Sequence, residues 1–128
     1  MKQEQIIQIQ LMEQEANQLN EQTQLIEQNI REMSELKESL DEIEKNGKDI
    51  LANLGKRIYI PVEIKDKNLI VEVGKGNYVK KNIKDTMKVI DEQINGLMEG
   101  RGQIIARLDE LQGEMMKLVG EIEKGQGK

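Results

Sequence analysis

Apolar residues recur along most of the chain at the spacing of coiled-coil helices. From Ile9 onward the intervals alternate between three and four residues, which places these side chains on one helical face. The pattern predicts a first helix from about Gln3 to about Asn46. Its first seam positions are Ile9, Met12, Ala16, Leu19, Thr23, Ile26, Ile30 and Met33.

The heptad frame of this first helix is predicted to shift after Met33. The shift is equivalent to an insertion of three residues, which overwinds a supercoil locally. Asn46-Gly47 either ends the helix or interrupts it. The shifted frame contains Leu36, Leu40, Ile43, Gly47, Ile50 and Leu54.

A second helix is predicted to begin near Asn82 or Asp85, both of which are candidate N-caps. Its heptad pattern continues for more than five repeats with one polar member. The two helices have nearly equal length, so we expect them to fold back on each other as an antiparallel coiled coil. The second seam contains Ile83, Met87, Ile90, Ile94, Leu97, Arg101, Ile104, Leu108, Leu111, Met115, Leu118 and Ile122.

Arg101 is the polar member of the second seam. A polar residue at such a position typically fixes register or partner choice at some cost in stability. Gly96, Gly100 and Gly102 surround it, and each lowers helix stability by up to about 1 kcal/mol relative to alanine. This region is predicted to be the softest part of the helix, either as a simple bend or as a functional hinge.

The segment between the helices has the two-residue period of β-strands. In residues 58–65 apolar β-branched residues alternate with other types, and residues 69–73 form a second apolar run. The polar residues 65–68 between them favour a turn, so these two runs are predicted to pair as a hairpin. Gly74 and Gly76 mark another reversal before residues 77–80. Two small hairpins, or three to four short strands, are expected.

Hairpins of this size leave edge backbone groups unpaired, which favours pairing with strands of another chain. Pro61 fits an edge position because it has no N–H to donate; it is alternatively a residue that only blunts an edge. We predict an oligomerisation hub. Its residues are Ile58, Tyr59, Ile60, Pro61, Val62, Ile64, Leu69, Val71, Val73, Gly74, Gly76, Tyr78 and Val79.

These patterns together predict a mostly helical α+β fold, a long antiparallel coiled-coil hairpin with a small hub of two β-hairpins between its helices. The predicted parts are the N-terminal coiled-coil helix (residues 1–49), the hub (50–81), the C-terminal coiled-coil helix (82–124) and a disordered tail (125–128).

The two chain ends carry more apolar residues than a two-stranded seam can bury. Methionine is flexible and polarizable, so such a surface suits many apolar partners. We predict a substrate-binding tip, with a frayed seam end or a contact to a neighbouring chain as the alternatives. The residues are Ile6, Ile7, Ile9, Leu11, Met12, Met115, Met116, Leu118, Val119 and Ile122.

The composition excludes most catalytic chemistry. The 128 residues include no Cys and no His, which excludes thiol nucleophiles, disulfides, imidazole bases and nearly all zinc sites. The carboxylates lie at helix-surface spacing, and Gly74-Lys75-Gly76 lacks the spacing of a phosphate-binding loop. We expect no enzymatic activity, no metal and no cofactor.

No apolar run approaches the roughly 18 residues of a membrane span, and the first residues lack a signal-peptide core. A soluble cytoplasmic protein without membrane contact is therefore expected.

The net charge of −5 is distributed in blocks. Residues 1–50 carry a net −7, residues 51–88 a net +5 and residues 89–128 a net −3. The basic segment has no interleaved aromatic residues for base stacking, so we expect no nucleic-acid partner. It is better explained as a solvated rim or as a face complementary to acidic partner subunits.

The hub sequence resembles that of the α-type subunits of prefoldin, a chaperone of the archaeal and eukaryotic cytosol. Leu54 and Tyr59-Ile60-Pro61 are similar to that family's leucine and tyrosine-valine-proline segment. Residues 71–81 are similar to its valine-glycine-x-glycine-x-tyrosine-valine signature. The glycines around Arg101 are not part of that pattern.

The resemblance implies a hexamer of two α-type and four β-type subunits, joined through their β-hairpins into a double β-barrel that carries six coiled coils. It implies partners of three kinds: β-type prefoldin subunits with a second copy of this chain, unfolded polypeptides held at the tips without ATP, and a group II chaperonin that receives them. The rival hypotheses are a homo-oligomeric structural coiled-coil protein and an adaptor that recruits a specific helix.

Overall fold

The computed structural model describes residues 2–126, apart from the side chains of Asn46 and Gln126. Four short strands lie between two long helices along the chain, in the mostly helical α+β fold that the sequence predicts. The elements are α1 (Gln3–Asn46), β1 (Asp49–Gly55), β2 (Ile58–Glu63), β3 (Leu69–Gly74), β4 (Asn77–Lys81) and α2 (Ile83–Gln126). Helix α2 extends two residues into the predicted tail, whose last residues, 127–128, lie outside the described residues.

The chain divides into two compact units. The arm unit comprises Met1–Ile30 with Gly96–Lys128, and the hub unit comprises Arg31–Asn95. In the arm unit, α1 and α2 are linked by the Glu15–Arg107 ion pair, and Leu111 is the most buried side chain at 2% exposed. Ile122 is also buried there.

The core of the hub unit is formed where α1 ends and α2 begins. Leu40, Ile83 and Ile90 are buried together, and Met33, Ile43, Leu69, Met87 and Ile94 pack against them. Glu44 shares a cleft with the first turn of α2, and Lys37 pairs with Asp91 further along, so the two helices run antiparallel in this unit.

The local sequence explains where α1 ends and where α2 begins. Asn82 is the N-cap of α2, because its Oδ1 accepts a hydrogen bond from the N–H of Asp85 at 2.7 Å. At the C-terminal end of α1, Gly47 has a φ of 47° and its N–H bonds to the carbonyl of Ile43 at 3.2 Å. Lys67 Nζ donates to the carbonyl oxygen of Glu44 at 3.3 Å and so satisfies another free carbonyl of the last turn.

All twelve predicted seam positions of α2 are buried or half-buried, Arg101 among them. The predicted shift of frame in α1 is wrong at its first step, because Leu36 is 48% exposed. Lys37 occupies the seam instead: it is half-buried and bonds to Asp91. A lysine can do this because its aliphatic stem packs against apolar neighbours while its amine reaches a partner.

The predicted pairing of residues 58–65 with residues 69–73 is also wrong. Strand β2 pairs with β1, and β3 pairs with β4, in two separate antiparallel sheets of two strands. Ile50 and Leu54, predicted to continue a helical frame, therefore lie in β1. The structure thus has the two expected hairpins, hairpin 1 (β1–β2) and hairpin 2 (β3–β4).

The turn of hairpin 1 explains why its strand was missed. Lys56 and Arg57 form a two-residue loop with φ values of 50° and 65°. Both residues therefore adopt the left-handed conformation of a type I′ turn, for which Asn-Gly is the usual sequence. The sequence Lys-Arg is not typical of a type I′ turn, so the residue preferences of turns do not predict this reversal.

Candidate functional site

The two hairpins have similar sequences, the same register and the same loop length, although the backbone conformations of their loops differ. Residues 54–60 read Leu-Gly-Lys-Arg-Ile-Tyr-Ile and residues 73–79 read Val-Gly-Lys-Gly-Asn-Tyr-Val. In each hairpin the first strand carries one extra residue, Leu54 or Val73, just before a two-residue loop. This internal repeat is the sequence signal that would have located β1.

A side chain supports the turn in each hairpin. The side-chain oxygen of Asn53 accepts a hydrogen bond from the N–H of Gly55 at 2.8 Å, and Glu72 accepts one from the N–H of Gly76 at 3.3 Å. Asn53 lies opposite Tyr59 and Glu72 lies opposite Tyr78. The tyrosines therefore occupy equivalent places, and both are more than half exposed.

The hub predicted from the sequence is largely uncovered within this chain. Several of its side chains are exposed: Ile58, Tyr59, Ile60, Val73, Tyr78 and Val79. Pro61, Gly74 and Gly76 are exposed as well, whereas Val62, Ile64, Leu69 and Val71 are half-buried. Leu51, Leu54 and Ile70 were missing from the predicted set, and they are 65%, 65% and 71% exposed.

Hairpin 1 exposes apolar residues on both faces. Ala52 lies opposite Ile60 on one face, and Leu51 lies opposite Pro61 on the other. A two-stranded sheet cannot cover two apolar faces by itself, and such a sheet is marginally stable in water. Exposed apolar residues on both faces of a hairpin are consistent with the hub that the sequence predicts.

Hairpin 2 and the two helices enclose an apolar groove of about 320 Å³ in the hub unit. Leu36 and Leu40 of α1 line it together with Ile70 of β3 and Val89 of α2. The exposure of Leu36 is thus explained, because its side chain lies in the wall of the groove rather than in the helical seam.

The predicted tip residues separate by burial. The exposed side chains are Ile7 (48%), Leu11 (59%), Met116 (68%) and Val119 (41%). Ile6, Ile9, Met12, Met115 and Leu118 are half-buried. Ile122 is 8% exposed and belongs to the packed seam. On α2, Met115, Met116 and Val119 line a shallow groove of about 420 Å³.

Arg107 forms ion pairs with three carboxylates in the arm unit. It bonds to Glu15 through two nitrogens, to Glu110 at 3.1 Å, and lies 3.8 Å from Glu114. The hydrogen bonds from Arg107 lower the pKa of Glu15, and the same bonds raise the pKa of Arg107.

Asp66 makes a hydrogen bond and an ion pair in the segment that connects the hairpins. Its carboxylate accepts a hydrogen bond from the N–H of Asn68 at 3.0 Å and lies 3.5 Å from Lys80 Nζ. The backbone hydrogen bond, followed by the charge of Lys80, lowers the pKa of Asp66. This ion pair links residue 66, after β2, to β4.

Neither a metal-binding cluster nor a membrane-spanning helix occurs among the described residues. No group of three or more carboxylate, His or Cys side chains in residues 2–126 could hold a metal ion. Within the same residues, no helix has both the length and the apolar character to cross a membrane.

Comparison with known proteins now decides the family. The model of the prefoldin subunit family matches residues 12–128. The chain belongs to the prefoldin family. Prefoldins are non-enzymatic cytosolic chaperones, and membership implies assembly with other prefoldin subunits. No curated protein sequence matches this chain.

A solved prefoldin has the same fold. The chain is similar to the filamentous prefoldin of Methanocaldococcus jannaschii determined by cryo-electron microscopy, with a TM-score of 0.74 and 16% identity. The match covers 88% of this chain and 96% of that one. At this identity the similarity shows the fold, and the assignment to the α-type remains a prediction from the hub motifs.

Proposed function

We propose that this prefoldin subunit captures non-native polypeptides, without ATP, at the tip segments of its helices (residues 3–12 of α1 and 115–126 of α2) and delivers them to a group II chaperonin in the cytosol. It acts without enzymatic chemistry, within a hexamer of two copies of this chain and four β-type subunits. The observation that carries the proposal is the exposed apolar set Ile7, Leu11, Met116 and Val119 in those segments.

The chemistry of the tip segments suits transient capture. Each exposed side chain offers a small apolar contact worth on the order of 1–2 kcal/mol when it is covered. Met116 is unbranched and adapts its shape to different partners. Several tips joined to one hub bind one substrate through effective concentration, so individually weak contacts give useful avidity and still release.

The decisive experiment replaces the four exposed tip residues by serine. We expect Ile7→Ser, Leu11→Ser, Met116→Ser and Val119→Ser together to abolish suppression of aggregation of a chemically denatured test protein, measured by light scattering. The oligomeric mass should not change, because none of the four lies in a hairpin.

The matched control replaces two equally exposed apolar residues outside the tip segments. Leu25 and Ile105 are 61% and 45% exposed. Leu25→Ser with Ile105→Ser should retain full protection. Equal protection by the tip variant and the control would refute capture at the tips. Saturable binding to one folded protein, with indifference to denatured ones, would favour the adaptor hypothesis.

Delivery has its own test. A denatured substrate bound to the prefoldin should appear on a group II chaperonin after mixing, as followed by native electrophoresis with labelled substrate. Substrate that stays on the prefoldin would limit the function to holding.

Homo-oligomeric assembly is a second candidate, favoured by two observations. The structurally similar prefoldin is filamentous, and this chain exposes apolar residues on both faces of hairpin 1. The native mass of the assembly recovered from source cells distinguishes the candidates. Two copies with four shorter subunits support the hexamer, and an open-ended series of masses supports a filament of this chain.

A further inference from the structure

Helix α2 carries a second row of residues beside its seam, and part of that row is apolar. Met98, Ile105 and Val119 each directly follow a seam residue, and each is more than 40% exposed. Together with the residues between them, they form a row whose members are three or four positions apart, which places them on one helical face. We call this row the flank stripe. Its members are Met98, Gly102, Ile105, Asp109, Gln112, Met116, Val119 and Glu123.

The flank stripe is more than a two-helix seam requires. A helix that packs against one partner needs two apolar positions per heptad, whereas a third apolar position is typical of a helix in the core of a bundle. In the arm unit α1 covers the seam of α2 but leaves the stripe open, with Met98 and Ile105 both 45% exposed. This part of α2 therefore has the pattern of a helix with room for one more neighbour.

The ion pair between Glu15 and Arg107 lies on the other side of the seam. Ile105 and Arg107 are two residues apart, which turns their side chains about 200° from each other around the helix. The same holds on α1 for Glu13 and Glu15. Because Arg107 reaches Glu15 on one side, Glu13 lies on the same side of the seam as the flank stripe.

The surroundings of the flank stripe are acidic. Glu27 follows Glu13 by two heptads and shares its side of α1, and the stripe itself contains Asp109 and Glu123. All four carboxylates are exposed. The sequence has no Lys or Arg in the stripe or at positions 13, 17, 20, 24 and 27 of α1. The apolar members of the stripe are thus bordered by negative charge alone.

The shape of the flank stripe also suits a helix. Its last four members line the shallow groove of about 420 Å³ on α2. Between Met98 and Ile105, a Cβ at Gly102 would meet no atom within 4 Å. An open position between two apolar side chains resembles the hole that receives a side chain of a facing helix in a coiled coil.

We propose that the flank stripe binds an amphipathic helix of a partner protein that carries lysine or arginine on both sides of its apolar face. The apolar face of that helix covers Met98 and Ile105, one of its side chains enters the space at Gly102, and its basic side chains reach Glu13 and Asp109 on either side. Pairing of the stripes of two copies would instead bring like charges together, which is unfavourable. This activity goes beyond capture at the tip segments and does not depend on it, because Met98 and Ile105 lie outside those segments.

Two synthetic amphipathic helices test the charge requirement. Both span about three heptads with leucine at two positions of each, and the flanking positions are lysine in one helix and glutamate in the other. We expect the labelled lysine helix to bind the complete assembly about tenfold or more tightly than the glutamate helix, as measured by fluorescence anisotropy, and to lose affinity as salt screens the charges. Equal affinities, or no binding of the lysine helix, would overturn the proposal.

Substitutions on the flank stripe locate the binding surface. Met98→Ser with Ile105→Ser should weaken binding of the lysine helix by about tenfold or more. Gly102→Gln should also weaken it, because the new side chain fills the open position. Ile7→Ser with Leu11→Ser is the control, since these exposed residues belong to the tip segment of α1, and it should leave the affinity unchanged. An equal loss in the control would place the helix at the tips and overturn the assignment.

A second pair of variants tests the acidic border. Glu13→Gln with Glu27→Gln should weaken binding of the lysine helix by about threefold or more at low salt and reduce its salt dependence. Glu114→Gln with Glu121→Gln removes the same charge on the other side of the seam, because each of these residues directly precedes a seam residue as Arg107 does. It should change the affinity less. Equal effects would mean attraction by net charge rather than by this surface.

Disulfide trapping tests whether a second copy occupies the flank stripe instead. The chain contains no natural cysteine, so Met98→Cys is the only thiol in the variant chain. M98C chains in the complete assembly should not cross-link to each other on oxidation. Efficient cross-linking between copies would overturn the proposal.

Failure of this proposal is distinguishable from failure of tip capture. An M98S/I105S assembly that binds the lysine helix as the wild type does overturns the flank assignment and leaves protection of denatured substrate standing. Equal protection by the tip variant and its control overturns tip capture and leaves the flank stripe standing.

Discussion

Arg107 of α2 donates two hydrogen bonds to the carboxylate of Glu15 on α1, although the two residues are 92 positions apart in the sequence. The Nε–Oε2 and Nη2–Oε1 distances are 2.8 Å and 3.2 Å. A planar guanidinium and a carboxylate match in this geometry, which gives the pair directional specificity as well as charge attraction. The pair therefore favours one register of the two helices in the arm unit.

The Glu15–Arg107 pair makes stability depend on pH. The hydrogen bonds from Arg107 lower the pKa of Glu15 from its usual 4.5 in the folded state. The stabilisation is fully present above the unfolded pKa and is lost as pH falls through the folded pKa. We expect Glu15→Gln to lower the melting temperature at neutral pH, and the difference from the wild type to vanish in strong acid. Thermal unfolding by circular dichroism across this range measures it.

Glu114→Gln is the control for the pH experiment, because Glu114 lies at 3.8 Å, beyond hydrogen-bond distance of Arg107. It should shift the melting temperature less than E15Q does. A constant difference between E15Q and the wild type at every pH would mean that the ionised pair contributes nothing.

The buried cluster of the hub unit should carry much of its stability. Leu40 is 4% exposed and packs with Ile83 and Ile90. Leu40→Ala should lower the free energy of unfolding by about 2–5 kcal/mol, because it removes apolar contacts and leaves a cavity. Urea denaturation gives this value. Leu25→Ala, at a position 61% exposed, should change it by about 0.5 kcal/mol or less. Equal losses would show that Leu40 is not a core residue.

The glycines of α2 are not required by packing. A Cβ at Gly102 meets no atom within 4 Å, and the residue is helical. Gly102→Ala should therefore raise the free energy of unfolding by up to about 1 kcal/mol, through the lower backbone entropy of alanine in the unfolded chain. Gly76→Ala is the contrast, because Gly76 has a φ of 75° that alanine adopts only with strain. It should lose stability although its surroundings are equally open.

The loop of hairpin 1 is strained by its side chains. Lys56 and Arg57 both have positive φ, which costs a non-glycine residue roughly 1 kcal/mol or more. Replacement by Asn-Gly, as K56N/R57G, should therefore raise the melting temperature, since that sequence suits a type I′ turn. Lys75→Asn, in the equivalent loop of hairpin 2, should raise it less, because Lys75 does not have positive φ. Identical gains would contradict the backbone explanation.

Many elements were predictable because their determinants are local. The helical seam follows from the spacing of apolar residues, and all twelve positions of α2 are shielded as that spacing requires. Helix α1 begins at Gln3 and ends at Asn46, as predicted, because Gly47 adopts the left-handed conformation that stops a helix. The sequence contains no Cys and no His, so chemistry that depends on these side chains was excluded without any structure.

The partners of the strands depended on tertiary structure. Alternation is the same whichever neighbour a strand has, so the pattern of β2 fits pairing with β1 or with β3 equally well. The choice is made at Lys56-Arg57, where the backbone reverses in a conformation that these side chains do not favour. The tertiary structure reveals that reversal. The sequence repeat between the two hairpins also indicates it, once that repeat is recognised.

Burial of individual side chains was decided in the same way. The apolar pattern favoured Leu36 for the seam, yet Lys37 lies there because Asp91 of α2 provides a partner for its amine. Ile122 and Met116 are both apolar and close in sequence, but one is 8% and the other 68% exposed. Sequence therefore determined the two helices, the strand character of β2 to β4 and the exclusion of Cys and His chemistry, since these depend on residue type and spacing. Tertiary structure decided which side chains remain available to a partner, since that depends on the packing of residues far apart in the chain.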